Sequence, residues 1–307
     1  MAIPTVYVAS LSAFVAGVAI SLQRYELPFA ILLGLLAAYV PSFFAPTQFS
    51  QRGAYWPWFA TLPLWKARAP VPTTLHFESP LSKETQYLFS SHPHGPTSWH
   101  HGVMLTGAST PAFHDVIPGD RRRHLGASIV FRIPLYRELL LWLGVVDASR
   151  SVAHRVLSSG KSLVILVGGI QEQMLAEYQK HHVFLRSRKG FVKLAIQHGA
   201  AIVPVYAFGE NDLFRPSTFL LPLRQWIARK FLIAIPLYVG PTWWNPLKPF
   251  PVEIHQVYGN PIQTTKCDSP SSDDVDRVHG LFLAELQRIF DTHKAAYATP
   301  DAKLEIL

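Results

Sequence analysis

The stretch 87–102, YLFSSHPHGPTSWHHG, holds four histidines, His92, His94, His100 and His101, at the exit of an apolar run. Paired imidazoles in that place could ligate a metal, move a proton, or be plain loop residues. A stable metal site needs further ligands, and imidazole sites commonly recruit carboxylates or cysteines. The segment supplies none. General-base chemistry fits better, because histidine titrates near neutral pH and one neutral ring nitrogen can take a proton from a hydroxyl. Pro93 restricts its own backbone and that of His92, which stiffens the loop. Gly95 lets a ligand approach closely.

Two further motifs repeat the design. GGIQE, 168–172, follows a very apolar run with Gly168, Gly169 and the carboxylate of Glu172. FGEN, 208–211, ends another apolar run with Glu210 and Asn211. Three strand ends that deliver histidine, glutamate, and glutamate with asparagine are what an active site at one edge of a sheet requires. RSRKG, 186–190, sets Arg188 and Lys189 beside Gly190 at a helix start, where dipole and cations together suit phosphate groups. Other chemistries fail on spacing. SSGKS would need a glycine at position 155 to complete a phosphate-binding P-loop, and the residue is Arg155. There is no G-x-S-x-G elbow and no H-E-x-x-H.

The elements that must position these groups alternate. Apolar runs at 86–91, 162–169, 200–208 and 250–262 read as strands. Segments 137–146, 188–199 and 272–296 read as helices, the last opening on Asp273, Asp274 and Asp276 and carrying Val275, Val278, Phe282, Leu286 and Ile289 at helical spacing. The fold class is therefore α/β, a sheet covered by helices. Segment 220–240 mixes Arg224, Arg229 and Lys230 with apolar residues, as a helix on a bilayer, a lid, or an ordinary amphipathic surface helix would.

Only 16% of the 307 residues are charged and 49% are apolar, which places part of the chain in lipid. Segments 3–22 and 27–45 carry no charge, and each is long enough to cross about 30 Å of hydrocarbon as a helix. The four-residue link QRYE forces an antiparallel membrane hairpin. Arg52, Lys66 and Arg68 follow it with no acid before Glu78, so the remainder faces the cytosol. A cleaved signal peptide would need a basic start, and residues 1–8 have none. The expected organisation is a hairpin anchor, 1–50, an interfacial connector with Trp56, Trp58 and Trp65, 51–72, and a catalytic domain, 73–307. The single cysteine, Cys267, excludes an intramolecular disulfide. The net charge of +8 suits anionic headgroups or a phosphorylated substrate rather than nucleic acid.

YLFSSHPHG, GGIQE, RKGFVKLAIQHGAAIVPVYAFGEN and VYGNPI, in that order, resemble the motifs of the type-2 diacylglycerol acyltransferase family, which includes monoacylglycerol and wax-alcohol acyltransferases. The resemblance runs from about Tyr87 to Tyr297, and the N-terminal hairpin is also as the family has it. It implies an acyltransferase-like sheet and transfer of a fatty acyl group from acyl-CoA to a lipid hydroxyl at the endoplasmic reticulum and lipid droplets. Gln173 stands where relatives usually have a small residue, and YWPWF, 55–59, only partly matches the family's Tyr-Phe-Pro element. Related glycerolipid acyltransferases carry an aspartate five positions after the histidine; here position 99 is Trp99 and position 97 is Thr97. The expectation is accordingly that His94 is the base and that Glu172 holds its tautomer. His92, Asn211 or amides near Gly95 steady the oxyanion, and Arg188 and Lys189 grip the CoA phosphates. No metal and no cofactor beyond the acyl-CoA substrate is expected. Diacylglycerol is the preferred acceptor over monoacylglycerol, a long-chain alcohol or a lysophospholipid. A non-catalytic lipid-binding role and homo-oligomerisation stay open.

Overall fold

The computed structural model describes residues 26–307. The first apolar arm, 3–22, and its link up to residue 25 lie outside the described residues. The chain divides into two compact units, Met1–Pro46 and Thr47–Leu307. The first contains helix α1 (Glu26–Phe44), 19 residues with Pro41 inside. At 1.5 Å per residue it is about 28 Å long. The window Ile31–Phe49 is long and apolar enough to cross a membrane.

The second unit is built on a seven-stranded sheet. In chain order its strands are β1 (Thr73–Phe77), β2 (Tyr87–His92), β3 (Arg122–Gly126), β4 (Val145–Asp147), β5 (Ser162–Ile165), β7 (Ala201–Phe208) and β10 (Ile254–Tyr258). In space they run β1-β10-β7-β2-β5-β3-β4. Two small pairs stand apart from it: β6 (His181–Val183) with β11 (Leu304–Ile306), and β8 (Arg215–Pro216) with β9 (Tyr238–Val239). All pairs in the main sheet are parallel except β10 with β7.

A parallel sheet covered on both faces buries both sides of its strands, and every residue of β2 and β7 is buried. Their side chains alternate between two cores. Leu88, Leu163, Ile202 and Tyr206 meet Phe282, Leu286, Ile289 and Phe290 on one face. Phe89, Val164, Val203 and Val205 meet Met104, Phe113 and Tyr258 on the other. The helices around these cores are α2 (Trp99–Thr106), α3 (Tyr136–Trp142), α4 (Arg150–Ser158), α5 (Gly169–Met174), α6 (Gly190–His198), α7 (Leu221–Phe231) and α8 (Ser272–Tyr297). Ser271 caps α8 by accepting from the Asp274 amide at 3.1 Å.

Two expectations need correction. The helix foreseen over 137–146 stops at Trp142, and Val145 and Val146 belong to β4. Gly144, at φ +89°, turns the chain out of the helix, and β-branched residues then suit the strand. The strand foreseen over 162–169 ends at Ile165, because a turn closes from the Gly169 amide to the Leu166 carbonyl at 3.1 Å.

Beside α2 the interior is polar. Arg122 is buried without a carboxylate partner among the described residues. Its guanidinium donates to the carbonyls of Ile117 and Met104, to His124 Nε2 at 3.1 Å and to His114 Nδ1 at 3.0 Å. Since arginine only donates, His124 carries its proton on Nδ1, and passes it toward His101 Nε2 at 2.9 Å. Burial above all pushes His101 down to about 3, His114 to about 4, and His124 well below the ordinary value, with Arg122 adding to it at His114 and His124. The unfolded chain therefore binds more protons below pH 6.5, and stability falls as pH drops through that point. Three such histidines should cost about 4 kcal/mol by pH 5.5, or a fall in Tm of about 10 °C. Thermal unfolding of the detergent-solubilised protein between pH 8 and 5, above the ordinary carboxylate range, checks it; a flat Tm contradicts it.

Candidate active site

β5, β2 and β7 lie side by side and parallel, so the turns that follow them meet at one edge of the sheet. The loop 92–98 after β2 is held between two carboxylates, Glu172 on α5 after β5, and Glu210 in the turn after β7. Gly95 has φ +62°, and a Cβ there would also run into the Glu210 side chain. The residue must be glycine on both counts. Gln173 adds a third tie, donating to the Pro96 carbonyl at 3.0 Å.

Glu172 is 3% exposed. Burial alone would raise its pKa, but His92 and the backbone amides of Phe184 and His94 outweigh that and hold the carboxyl below the ordinary range. Oε2 accepts from the Phe184 amide at 2.9 Å, and Oε1 from the His94 amide. Oε1 also stands 3.6 Å from His92 Nδ1. Gly168 makes room for this carboxylate, because a Cβ there would overlap it, while Gly169 takes φ +56° to start α5. The Gly168→Ala change is expected to displace Glu172, destabilise the fold by about 1–3 kcal/mol and lower transfer. Paired melting curves and initial rates measure both, and a variant with wild-type values for each contradicts the packing.

Contrary to the expectation from sequence, Glu172 does not hold the tautomer of His94. It supports the His94 backbone and faces the ring of His92. His94 Nδ1 lies 3.1 Å from the Gly95 carbonyl and 2.9 Å from Ser98 Oγ. A carbonyl only accepts, so Nδ1 carries the proton and Nε2 the lone pair. Among the described residues no hydrogen bond engages Nε2. Burial pushes the pKa of His94 down, against the upward pull of Glu172, so the ring is neutral at neutral pH. His94 is partly buried, and is the only one of the four histidines that keeps appreciable exposure.

The other expected residues divide by what already occupies them. His92 is fully buried, with Nε2 2.8 Å from Ser90 Oγ and Nδ1 turned toward Glu172. Asn211 donates one amide N–H to the Lys180 carbonyl at 2.6 Å, which ties the turn after β7 to the segment before β6. Glu210 accepts from the amides of Trp99 and His100, both at 2.9 Å, and from His100 Nδ1 at 3.0 Å, so it caps α2. Lys189 pairs with Asp276 at 2.6 Å, next to Gly190 at the start of α6. Arg188 is exposed and donates to Gln171 at 3.0 Å.

Two clefts flank this edge. One, of about 310 Å³, is bounded by Pro96, Gln173 and Met174 on one side and by Leu221 and Leu237 on the other. The second, of about 570 Å³, runs from Gly168 and Gly169 past Arg188 to α7. Met174 and Leu175 line both. α7 is thus a wall of a cleft, with Leu223, Trp226 and Phe231 exposed. His94 itself lines neither cleft; its loop reaches the first through Pro96, and the cations Arg188 and Arg229 line the second. A neutral imidazole with a free nitrogen can deprotonate a hydroxyl brought to it. The sequence reading passed over Ser98, which lies one turn from His94 but carries no motif of its own.

A family profile described as diacylglycerol acyltransferase matches residues 26–307. The 2-acylglycerol O-acyltransferase 1 of Bos taurus is 34% identical over 72% of this chain and 69% of its own. The diacylglycerol O-acyltransferase 1 of Saccharomyces cerevisiae (strain ATCC 204508 / S288c) is 36% identical over 72% of this chain, and the match spans 55% of its length. The diacylglycerol O-acyltransferase 2 of Homo sapiens is 34% identical over 71% of this chain and 59% of its own. The solved 1-acyl-sn-glycerophosphate acyltransferase from Thermotoga maritima aligns over 74% of this chain and 77% of its own, at a TM-score of 0.44 and 12% identity, too slight a likeness to carry function.

Proposed function

The chain belongs to the diacylglycerol acyltransferase family, and on that premise we propose that it transfers a fatty acyl group from acyl-CoA to the hydroxyl of diacylglycerol, giving triacylglycerol. The observation that carries this reading is the state of His94, whose Nδ1 is hydrogen-bonded, whose Nε2 is free and whose ring is neutral. Nε2 takes the hydroxyl proton as the acceptor oxygen attacks the thioester carbonyl. The C–O bond forms, the C–S bond breaks, and the proton passes from the imidazolium to the departing CoA thiolate. Glu172 and Glu210 hold the loop that presents the ring.

Helix α1 and the exposed Trp58, Phe219, Leu220, Trp243 and Trp244 support attachment to a membrane. We place the enzyme at the endoplasmic reticulum or a lipid droplet, with the second unit facing the cytosol. A monoacylglycerol acceptor is the second reading, favoured by the bovine 2-acylglycerol relative. Membranes holding the protein, given labelled oleoyl-CoA with diacylglycerol, monoacylglycerol, fatty alcohol or lysophosphatidate in turn, decide between them. Label in triacylglycerol from diacylglycerol supports the first reading. Label in diacylglycerol from monoacylglycerol supports the second, and label only in phospholipid overturns both.

A further inference from the structure

α7 carries three cations, and the structure uses each differently. Arg224 is buried and donates to the carbonyls of Ser217, Phe219 and Ile235, which ties the helix to its own flanking segments. Lys230 lies over the rings of Trp226 and Phe231, at 5.1 and 5.8 Å. Arg229 lines the 570 Å³ cleft that Arg188 also lines. Among the described residues neither Arg188 nor Arg229 has a carboxylate partner. Lys189, by contrast, is neutralised by Asp276. The cleft walls between the two guanidiniums are largely apolar, with Val167, Ile170, Leu175 and Leu232 among them.

Two exposed guanidiniums without carboxylate partners on one cleft leave donors free for an anion, and a planar guanidinium suits phosphate geometry. A ligand that matches has phosphate groups attached to a long apolar chain. We propose that Arg229, together with Arg188, clamps the phosphates of the acyl-CoA donor, so that α7 forms one wall of the donor site. Arg229 thereby takes the place that the sequence assigns to Lys189. This rests on the acyl-CoA reading above.

The test uses the full chain in phospholipid nanodiscs with two donors, oleoyl-CoA and S-oleoyl-N-acetylcysteamine, which has the same thioester and no phosphate. Arg229→Gln is expected to raise the KM for oleoyl-CoA, relative to that for the phosphate-free thioester, by about 10- to 100-fold. Arg229→Lys keeps the charge without the fork and should fall between the two. Asp276→Ala, which frees Lys189, should leave that ratio unchanged. An Arg229→Gln ratio equal to wild type overturns the clamp, whether both KM values rise together or neither moves. A wild-type protein that transfers nothing from oleoyl-CoA overturns the parent reading instead.

Discussion

Replacing His94 with alanine is expected to cut acyl transfer by about 10²- to 10⁴-fold and to leave the fold in place. The ring's hydrogen bonds are local, to Gly95 and Ser98, so its removal leaves no distant buried group unpaired. The melting temperature should therefore stay near wild type while the rate collapses. Ser98→Ala should cost much less, since the Gly95 carbonyl still holds Nδ1. The pH profile gives an independent reading. A base works unprotonated, and burial holds His94 below 6.5. Initial rates, taken well below the unfolding temperature, should stay level from pH 8 to 6.5 and fall only at lower pH. Wild-type rates in His94→Ala would reject it as the base, and an acid limb centred above 6.5 would reject its burial-depressed pKa.

The positions of the three strand ends are legible in the sequence because strand order and burial follow from pattern: continuous apolar runs make interior strands, and parallel strands end together. Partner choice is not legible in the same way. Whether Glu172 meets the ring of His92 or of His94 depends on how the turn after β5 passes the loop, and both alternatives share one sequence. Lys189 and Asp276 are 87 positions apart, and only the docking of α8 beside α6 pairs them. Arg229 stays exposed, and only the packing of α7 beside the glycine turn puts it on the same cleft as Arg188. The polar chain of Arg122, His124 and His101 is hidden for another reason. Its residues lie on β3 and α2, and nothing in either segment marks those side chains as inward.

Removing the Glu210 carboxylate is expected to be the most destabilising single change at the site, at about 3–5 kcal/mol. α2 begins at Trp99 behind Ser98, which sits at φ 55° and makes no side-chain cap. Helix starts leave amides without intrahelical partners, and here Glu210 supplies the acceptors from another part of the chain. Oε1 serves the Trp99 amide, and Oε2 serves the His100 amide and His100 Nδ1. Glu210 and His100 are both 0% exposed, so water cannot replace the lost acceptor. Glu210→Gln is the sharper test. It keeps the volume but turns one acceptor into a donor that must face the Trp99 amide or the two His100 donors. A capping role predicts that glutamine is nearly as harmful as alanine; a space-filling role predicts that glutamine is tolerated. In melting curves, a Glu210→Gln protein within about 2 °C of wild type would refute the cap. A loss of 10 °C or more, with transfer falling as the His94 loop loosens, would establish that the base stands on a carboxylate 116 residues away.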